Sequence, residues 1–399
     1  MTSSYLGPVE LFDGRSTTLK RKQGVLIEDG RIAWAGAHAR APRAARQAEA
    51  LEEDAGFLTP GLFDCHVHLC MDGEPDFLAE ARESEPYAAL KAVRNAERHL
   101  RSGTTTVRDL GGIGFVTSDV ARAIDGEVVA GPRVIPSGKA ITITGGHGWS
   151  SFAQQADGPQ GLRQAVRQQM RAGARSIKVI ATGGVLTPGI SLDFASLSPE
   201  ELEAAVEEAH SWGVPIAAHA HGDAGARRAV QAGIDSVEHG SLISAQTVRM
   251  MKERGTFHVA TISAHAEIVG HSDEVADYVM DKGRQIMEAA RASFERALRA
   301  GVRHAVGTDA GTPFNAHGHG PLEMVRMADW GMPPPKVLVA ATSNAAALCR
   351  VEDETGTVEV GKAADLVLYE ANPLDDVRAV LRPAVVFRGG ERFSGRPVG

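Results

Sequence analysis

Residues 171–184 read RAGARSIKVIATGG, and this stretch carries the pattern that decides the fold. The end of a helical segment closes on Gly173, and a short run rich in β-branched residues follows. Glycine there fits the left-handed backbone that ends many helices, which other residues adopt only at a steric cost. The same pattern recurs along the middle of the chain in HLRSGTTTVRD (99–109), WGVPIAAHAHG (212–222), QAGIDSVEHG (231–240), KERGTFHVAT (252–261) and RAGVRHAVGTD (299–309).

Helices that alternate with short apolar strands predict βαβ units and a parallel sheet. The segment VIPSG, which ends at Gly138, and the segment before His66 add two further strands. Eight units over roughly 250 to 300 residues favour an α/β fold of the (β/α)8 TIM-barrel type over an open doubly wound sheet. No Gly-rich dinucleotide fingerprint follows the first strand, which also disfavours the open sheet. The strands are expected at about 60–66, 104–109, 133–137, 175–181, 214–219, 235–239, 256–261 and 303–308.

The two ends of the chain have a different pattern of short alternating apolar segments. GVLIEDGRIAWAG (24–36) contains Asp29-Gly30, a strong hairpin signal, and GTVEVGKAADLVLYE (356–370) continues the style near the C-terminus. We therefore expect both ends to form one small β-sandwich domain, with the segment 37–55 as an exposed connection. The predicted division is 1–56 and 353–399 for the sandwich and 57–352 for the barrel.

Composition excludes several classes of function. The chain has 399 residues, 43% hydrophobic and 23% charged, as in ordinary soluble proteins. A net charge of −8 without a dense basic run argues against nucleic acid as a partner, and no apolar run approaches the ~20 residues of a membrane helix. The N-terminus lacks the pattern of a secretory signal, and three cysteines are too few for a disulfide framework. We expect a cytoplasmic protein.

The pair His66 and His68 is the first candidate for chemistry, because residues i and i+2 of a strand share one face. The spacing alone is weak, since the chain has 15 histidines. Its position is more informative, because polar residues also end later strands and barrel active sites lie at those ends. Each such residue alone could be a backbone-bonded His, a snorkelling Lys or a helix-capping Asp, but burying all of them together is costly without an ion. The later candidates are Lys178, His219, His239 and Asp309.

Six stretches resemble the amidohydrolase superfamily over nearly the whole chain. They are TPGLFDCHVHL (59–69), IKVIATGG (177–184), AAHAHG (217–222), SVEHG (236–240), GTDAGTPFNAHG (307–318) and GTVEVGKAADLVL (356–368). Within the superfamily, the chain is most similar to the metallo-dipeptidase group that includes Xaa-Pro dipeptidases and ochratoxin-hydrolysing amidases. This resemblance is specific because the stretches occur together and in order.

The resemblance implies a site with two divalent metal ions. Lys178 would be carboxylated by CO2 and bridge both ions, with His66, His68 and Asp309 on the first and His219 and His239 on the second. Nitrogen and oxygen ligands without thiolate suit zinc, and Mn, Co or Fe stay open on ligand type alone. A hydroxide bridging the metals would attack the substrate carbonyl, with Asp309 as base and then acid.

Further residues are expected around the substrate. His147, in a glycine-rich loop, would donate to the developing oxyanion or hold the substrate, unless it is only an exposed loop residue. His221 would support the site or face the substrate, because His219 occupies the family position of the ligand. At least one of His317 and His319 would line the pocket, unless they serve a lid or a helix cap. The expected substrate-binding set is His147, His221, His317 and Tyr278, in a homo-oligomer that acts on a small-molecule substrate.

Three functions compete. The first is a binuclear amidase or dipeptidase that cleaves an amide of a dipeptide or an N-acyl amino acid. The second is a cyclic amide or amidine hydrolase resembling imidazolonepropionases. Imidazolonepropionases and the related deaminases carry His-x-x-Glu after strand five and lack a lysine on strand four. Here Gly222 stands three residues after His219, and Lys178 is present on strand four. The third is a non-catalytic scaffold, which the intact set of ligands disfavours.

Overall fold

The computed structural model describes residues 3–51, 56–271, 274 and 276–398, in which short strands alternate with helices as the sequence predicts. The strands are β1 (Ser3–Leu11), β2 (Lys20–Glu28), β3 (Arg31–Ala37), β4 (Glu49–Ala50), β5 (Phe57–Pro60), β6 (Leu62–Val67), β7 (Thr104–Asp109), β8 (Arg133–Pro136), β9 (Ala140–Thr142), β10 (Ala153–Gln155), β11 (Ile177–Ile180), β12 (Ile216–Gly222), β13 (Ser236–Leu242), β14 (Phe257–Val259), β15 (Leu366–Tyr369), β16 (Pro383–Arg388) and β17 (Glu391–Ser394). The α-helices are α1 (Arg43–Gln47), α2 (Phe77–Glu80), α3 (Glu85–Arg101), α4 (Val116–Asp125), α5 (Gly158–Arg171), α6 (Pro199–Ser211), α7 (Asp223–Ala232), α8 (Ala245–Arg254), α9 (Ile262–Gly270), α10 (Asp277–Ala300), α11 (Gly320–Asp329), α12 (Pro334–Ala340) and α13 (Ser343–Leu348).

The middle of the chain forms two parallel sheets with helices packed against them. One has the order β10-β9-β11-β12-β13-β14 and the other β6-β7-β8. The predicted glycines do end helices, since Gly233, Gly255 and Gly301 cap α7, α8 and α10 in the left-handed conformation. Consecutive strands therefore run in the same direction, and their carboxyl ends lie at a common edge.

The last predicted strand, residues 303–308, is less regular than expected. Its backbone bonds to β14 through His258 N to Arg303 O (2.9 Å) and to β6 through Cys65 N to Val306 O (2.7 Å). A continuous ladder does not form, because Thr308 N donates instead to the side chain of Asp64 at 3.0 Å. On the opposite side, Arg175 N donates to Pro136 O at 2.7 Å and joins β8 to the other sheet. Closure into an eight-stranded barrel stays a prediction.

Both ends of the chain meet in one sheet, of order β17-β16-β15-β5-β1-β2-β3 with β4 beside β1. These strands form a single hydrogen-bonded sheet, whereas the sequence predicts a sandwich. The chain leaves this sheet at Gly61, between β5 and β6, where any side chain would overlap the Thr105 side chain. Because β5 pairs with β1 and β15, the expected domain boundary at residue 57 lies before a strand of the terminal sheet.

The segment 37–55 is mostly exposed as predicted, although it contains α1, β4 and the buried Ala45. Residues 52–55 of that segment lie outside the described residues. Cys65 is fully buried, with its Sγ 3.9 Å from that of Cys349, as expected for a core thiol. Across the described part of the chain, none of the helices combines the length and apolar character needed to cross a membrane.

Candidate metal centre

One cavity at the carboxyl ends of the central strands gathers all six predicted ligands. His66 lies on β6, Lys178 on β11, His219 on β12 and His239 on β13, while Asp309 follows the 303–308 segment. Parallel strands bring these side chains together because their carboxyl ends share one edge. The lining residues are His66, His68, His147, Phe152, Lys178, Ile180, Val185, Leu186, His219, His221, His239, Ala264, His265, Ile268, Asp309 and Thr312.

The first cluster of candidate ligands is His66, His68 and Asp309, whose ligand atoms all lie within 4.8 Å of one another. Asp309 Oδ1 lies 3.3 Å from His66 Nε2 and 3.1 Å from His68 Nε2. Burial alone would raise the pKa of Asp309, but the neighbouring His66, His68 and Lys178 side chains hold it well below its usual range. The carboxylate is therefore anionic at neutral pH.

The other nitrogen of each imidazole fixes its tautomer. His66 Nδ1 lies 2.8 Å from Glu238 Oε2, and His68 Nδ1 lies 2.7 Å from Gly111 O. A carbonyl and a carboxylate can only accept, so both Nδ1 atoms carry hydrogen, and in the neutral form that binds a metal each Nε2 atom presents a lone pair. Asp309 Oδ1 is buried without a hydrogen-bond donor. Three such atoms that face one another suit a cation at their centre. His66, His68 and Asp309 could therefore hold a metal ion together.

Glu238 and Arg108 support this cluster, and sequence reasoning missed both. Both side chains are fully buried, and Arg108 Nη2 donates to Glu238 Oε1 at 2.9 Å. Although burial would raise the pKa of Glu238, Arg108 and the bond from His66 lower it to about 2. The anionic carboxylate therefore holds the His66 ring in place. The motif SVEHG offered a signal, since its acidic residue adjoins His239 on a strand.

The second cluster is His219, His221 and His239, again within 4.8 Å. His219 Nε2 lies 3.2 Å from Gly183 O and therefore carries the hydrogen, which leaves Nδ1 as the lone pair facing His239 Nε2 at 2.9 Å. Burial, followed by the neighbouring imidazoles, holds the pKa of all three well below the usual value. Neutral imidazoles are the form that ligates metals. This cluster could also hold a metal ion. His221 belongs to it by distance just as the two expected ligands, His219 and His239, do.

Lys178 lies beside the first cluster, with Nζ 3.2 Å from His66 Nε2. The side chain is almost fully buried, and burial lowers the pKa of Lys178 to about 8. Near neutral pH a larger fraction of this amine is thus unprotonated than of a surface lysine.

His147 lies inside the cavity and is not an exposed loop residue. Its Nδ1 lies 2.7 Å from Thr187 Oγ1, and its ring lies 4.7 Å from that of His219. Burial lowers the pKa of His147 to about 3, so the ring is neutral. Gly184 allows this placement, because a Cβ there would overlap the imidazole.

Two expected substrate contacts lie elsewhere. His317 is turned behind β6, where Nε2 donates to Met71 O at 2.6 Å and Nδ1 lies 3.0 Å from His99 Nε2. Both ring nitrogens are thus engaged outside the cavity, and His317 is not among the lining residues. His319 stands at the N-terminus of α11 and does not line the cavity either. The Tyr278 hydroxyl donates to Leu186 O at 3.3 Å, which places Tyr278 behind a lining residue and not in the lining.

The chain is similar to proteins of known family and structure. Residues 57–392 match the amidohydrolase family. An ochratoxinase from Aspergillus niger is 32% identical in an alignment that covers 95% of this chain and 84% of that protein. A crystal structure of a Xaa-Pro dipeptidase with bound methionine in the active site superposes with a TM-score of 0.91 at 32% identity, covering 99% of this chain and 100% of that one. The structure of the A. niger ochratoxinase gives a TM-score of 0.88 at 30% identity, covering 100% of this chain and 97% of that one.

Proposed function

This chain belongs to the amidohydrolase family and is a hydrolase acting on carbon–nitrogen bonds, and on that basis we propose that it is a binuclear metal-dependent amidase or dipeptidase. The observation that carries the proposal is the pair of adjacent ligand clusters, in each of which the candidate ligand atoms lie within 4.8 Å of one another. The proposed substrate is a dipeptide or an N-acyl amino acid, because the similar proteins include a Xaa-Pro dipeptidase and an ochratoxinase.

His66, His68 and Asp309 would hold one ion and His219 and His239 the other, with zinc as the metal that suits this set of ligands. Divalent cations in these positions would polarise a substrate carbonyl and lower the pKa of a water molecule. His221 lies in the second cluster by distance, and we assign it to the substrate side because His219 and His239 stand at the positions that the family resemblance gives to the ligands.

Carboxylation of Lys178 would complete the ligand set. An ammonium cannot ligate a cation, whereas the unprotonated amine can attack CO2, form an N–C bond and lose a proton to solvent. The resulting carbamate has anionic oxygens that could ligate an ion in either cluster. The lowered pKa of Lys178, caused by burial, supports this step because it raises the fraction of free amine.

Asp309 would transfer protons, and His147 would contact the substrate. The Asp309 carboxylate would accept a proton from the attacking water and return it to the leaving nitrogen. His147, held by Thr187, would position the substrate or donate to its developing oxyanion. Donation requires hydrogen on the Nε2 atom, so Thr187 Oγ1 would then donate to Nδ1.

The cavity wall indicates what kind of side chain the substrate carries. Phe152, Val185, Leu186 and Ile268 line one part of it, so an apolar group fits beside the polar centre. We further propose that the central sheets close into a (β/α)8 barrel that begins at Leu62, since β5 pairs within the terminal sheet. The homo-oligomer stays a prediction.

Metal analysis combined with an amide panel tests the function. Purified protein supplied with zinc and bicarbonate should hold about two equivalents of metal and hydrolyse dipeptides or N-acyl amino acids with apolar side chains. Lys178→Ala should lose metal and activity, with partial rescue by short carboxylic acids that replace the carbamate. One equivalent at full activity, or turnover confined to cyclic amides, would overturn the proposal.

A further inference from the structure

His265 is a buried histidine of the cavity that the proposed mechanism leaves without a role. It lies in the first turn of α9, just after β14, and lines the cavity. Its ring lies 5.5 Å from that of His221 and 5.9 Å from that of His239. A substrate bound between the two ligand clusters would therefore lie next to it.

The hydrogen bonds of His265 define what it can offer. Its Nδ1 lies 3.0 Å from Thr261 O, and since a carbonyl only accepts, Nδ1 carries the hydrogen. The Nε2 atom then presents a lone pair.

The position of His265 is fixed relative to the proposed metal ligands. Thr261, whose carbonyl oxygen holds His265, also has its Oγ1 2.7 Å from His239 Nδ1. The start of α9 is held by Glu323, which accepts from Ile262 N at 2.8 Å and Ser263 N at 2.7 Å. Thr261 thus orients both histidines, and a rigid acceptor of this kind can discriminate between substrates.

We propose that His265 binds the substrate by accepting a hydrogen bond from the N–H of the scissile amide, so that secondary amides are preferred to amides whose nitrogen carries no hydrogen. This inference rests on the proposed amidase function. An N–H that loses water on entering the cavity needs a new acceptor. An N-alkylated amide such as an Xaa-Pro bond has no N–H, so it cannot donate to His265. Ala264 and Ile268, also on α9, place an apolar surface beside this contact.

A pair of amides tests the assignment. N-acetylphenylalanine and N-acetyl-N-methylphenylalanine differ by one methyl group on the scissile nitrogen. Wild-type enzyme should favour the first by about 10- to 100-fold in kcat/KM, and His265→Phe should bring this ratio close to one. His265→Gln keeps an acceptor near the position of Nε2 and should retain part of the preference. His304→Phe is the matched control, because His304 is buried outside the cavity, and should keep the full ratio.

Binding provides a readout independent of turnover. Calorimetry on the zinc-loaded protein would compare N-methylphosphonyl-phenylalanine with its analogue in which CH2 replaces the N–H. Wild type should bind the N–H compound about 10-fold more tightly, and His265→Phe should bind both equally. If wild type processes and binds these compounds but His265→Phe keeps both preferences, the role of His265 is wrong and the amidase function stands. If wild type neither hydrolyses nor binds any of them, both proposals are overturned.

Discussion

Three residues at the edge of the cavity have a backbone conformation that side chains rarely adopt. His239, Thr261 and Asp309 have φ angles of 67°, 49° and 62°. Such residues cost about 1–3 kcal/mol each and persist where the surrounding contacts hold them. The contacts are present here, since Asp309 faces two histidines and Thr261 links His239 to His265. Two of these residues, His239 and Asp309, direct their side chains into the cavity.

Asp309→Asn tests the proton-transfer role at the residue scale. The amide keeps the volume and one oxygen that can ligate, but it cannot carry a proton. We expect kcat per metal-loaded site to fall by ~10²–10⁴-fold while most metal is retained, as is typical for loss of a general acid–base. Steady-state kinetics together with metal analysis measure both quantities.

Asp223→Asn is the matched control for this experiment. Asp223 also follows a central strand, but its carboxylate accepts from Ser244 N and Thr247 Oγ1 at the start of α8, outside the cavity lining. Its kcat should stay within a few-fold of wild type. A corrected kcat of Asp309→Asn equally close to wild type would leave Asp309 only as a candidate ligand.

The residues that could be predicted from sequence are those whose direction the strand dictates. His66, His68 and His219 lie at strand ends, and the two-residue period of a strand fixes the face that they share. His265 was missed because it lies in the first turn of a helix and no periodic pattern marks it. His317 was expected near the substrate because sequence does not give the direction of a loop, and its ring bonds instead to Met71 O.

At the scale of secondary-structure elements, Glu238 ties three strands together. From β13 it reaches His66 on β6 and Arg108 on β7, and Arg108 Nε donates to Cys65 O at 2.7 Å. Ser236 also donates to the carboxylate. This buried charge pair supports both the packing of the strands and the tautomer of a candidate ligand.

Glu238→Gln should separate those two roles. The buried guanidinium loses its counter-ion, which should lower the free energy of unfolding by about 3–5 kcal/mol. If the amide oxygen accepts from Arg108, the amide N–H faces His66 Nδ1 and moves the imidazole hydrogen to Nε2. Metal affinity should then fall by about 10- to 100-fold, as when the partner of a ligating histidine is removed. Urea unfolding and chelator competition measure the two effects.

The double variant Arg108→Met with Glu238→Gln provides the control. It removes the unpaired charge and should recover much of the lost stability while metal affinity stays low. Wild-type metal affinity in Glu238→Gln would contradict the role of Glu238 in orienting His66.

The loop after β11 gives a second prediction at this scale. Gly184→Ala adds a methyl group that overlaps the His147 imidazole, so His147 should move away from its bond to Thr187. We expect kcat/KM to fall by about 10- to 100-fold with little change in unfolding temperature, because losing one donor to an oxyanion has effects of this size or larger. Gly270→Ala at the end of α9 is the control, since a Cβ there meets nothing within 4 Å. An unchanged kcat/KM in Gly184→Ala would argue against a role for His147.

For the whole molecule, the repeated helix–glycine–strand pattern predicted the α/β organisation and most strand positions. It did so because each unit is local in sequence. Pairing between the chain ends depends on contacts that are distant in sequence, and alternating patterns alone did not indicate that eight strands would join in one sheet. The irregular 303–310 segment was equally hidden, since the bond from Thr308 to Asp64 joins residues far apart in the sequence.

Buried histidines should make the whole fold sensitive to acid. His304 is packed between His258 and Phe294, with ring distances of 5.2 and 4.9 Å, and its Nε2 has no hydrogen-bond partner. Burial lowers the pKa of His304 to about 3, whereas an unfolded histidine titrates near ~6.5. Below pH ~6.5 the unfolded chain binds a proton at this histidine that the folded chain does not. The free energy of unfolding therefore falls as the pH falls from ~6.5 toward ~3.

His304→Phe isolates this contribution because it keeps an aromatic ring and removes the titration. Between pH 8 and pH 5, the wild-type free energy of unfolding should fall by about 2 kcal/mol more than that of the variant, at ~1.4 kcal/mol per pH unit below ~6.5. The variant loses the bond from Nδ1 to Val302 O and so starts slightly less stable at pH 8, which makes the two curves converge on acidification. Urea titrations at both pH values, with a chelator present so that the metal ligands contribute equally to both proteins, give the difference directly. Parallel curves for the two proteins would mean that His304 becomes protonated in the folded state as easily as in the unfolded chain.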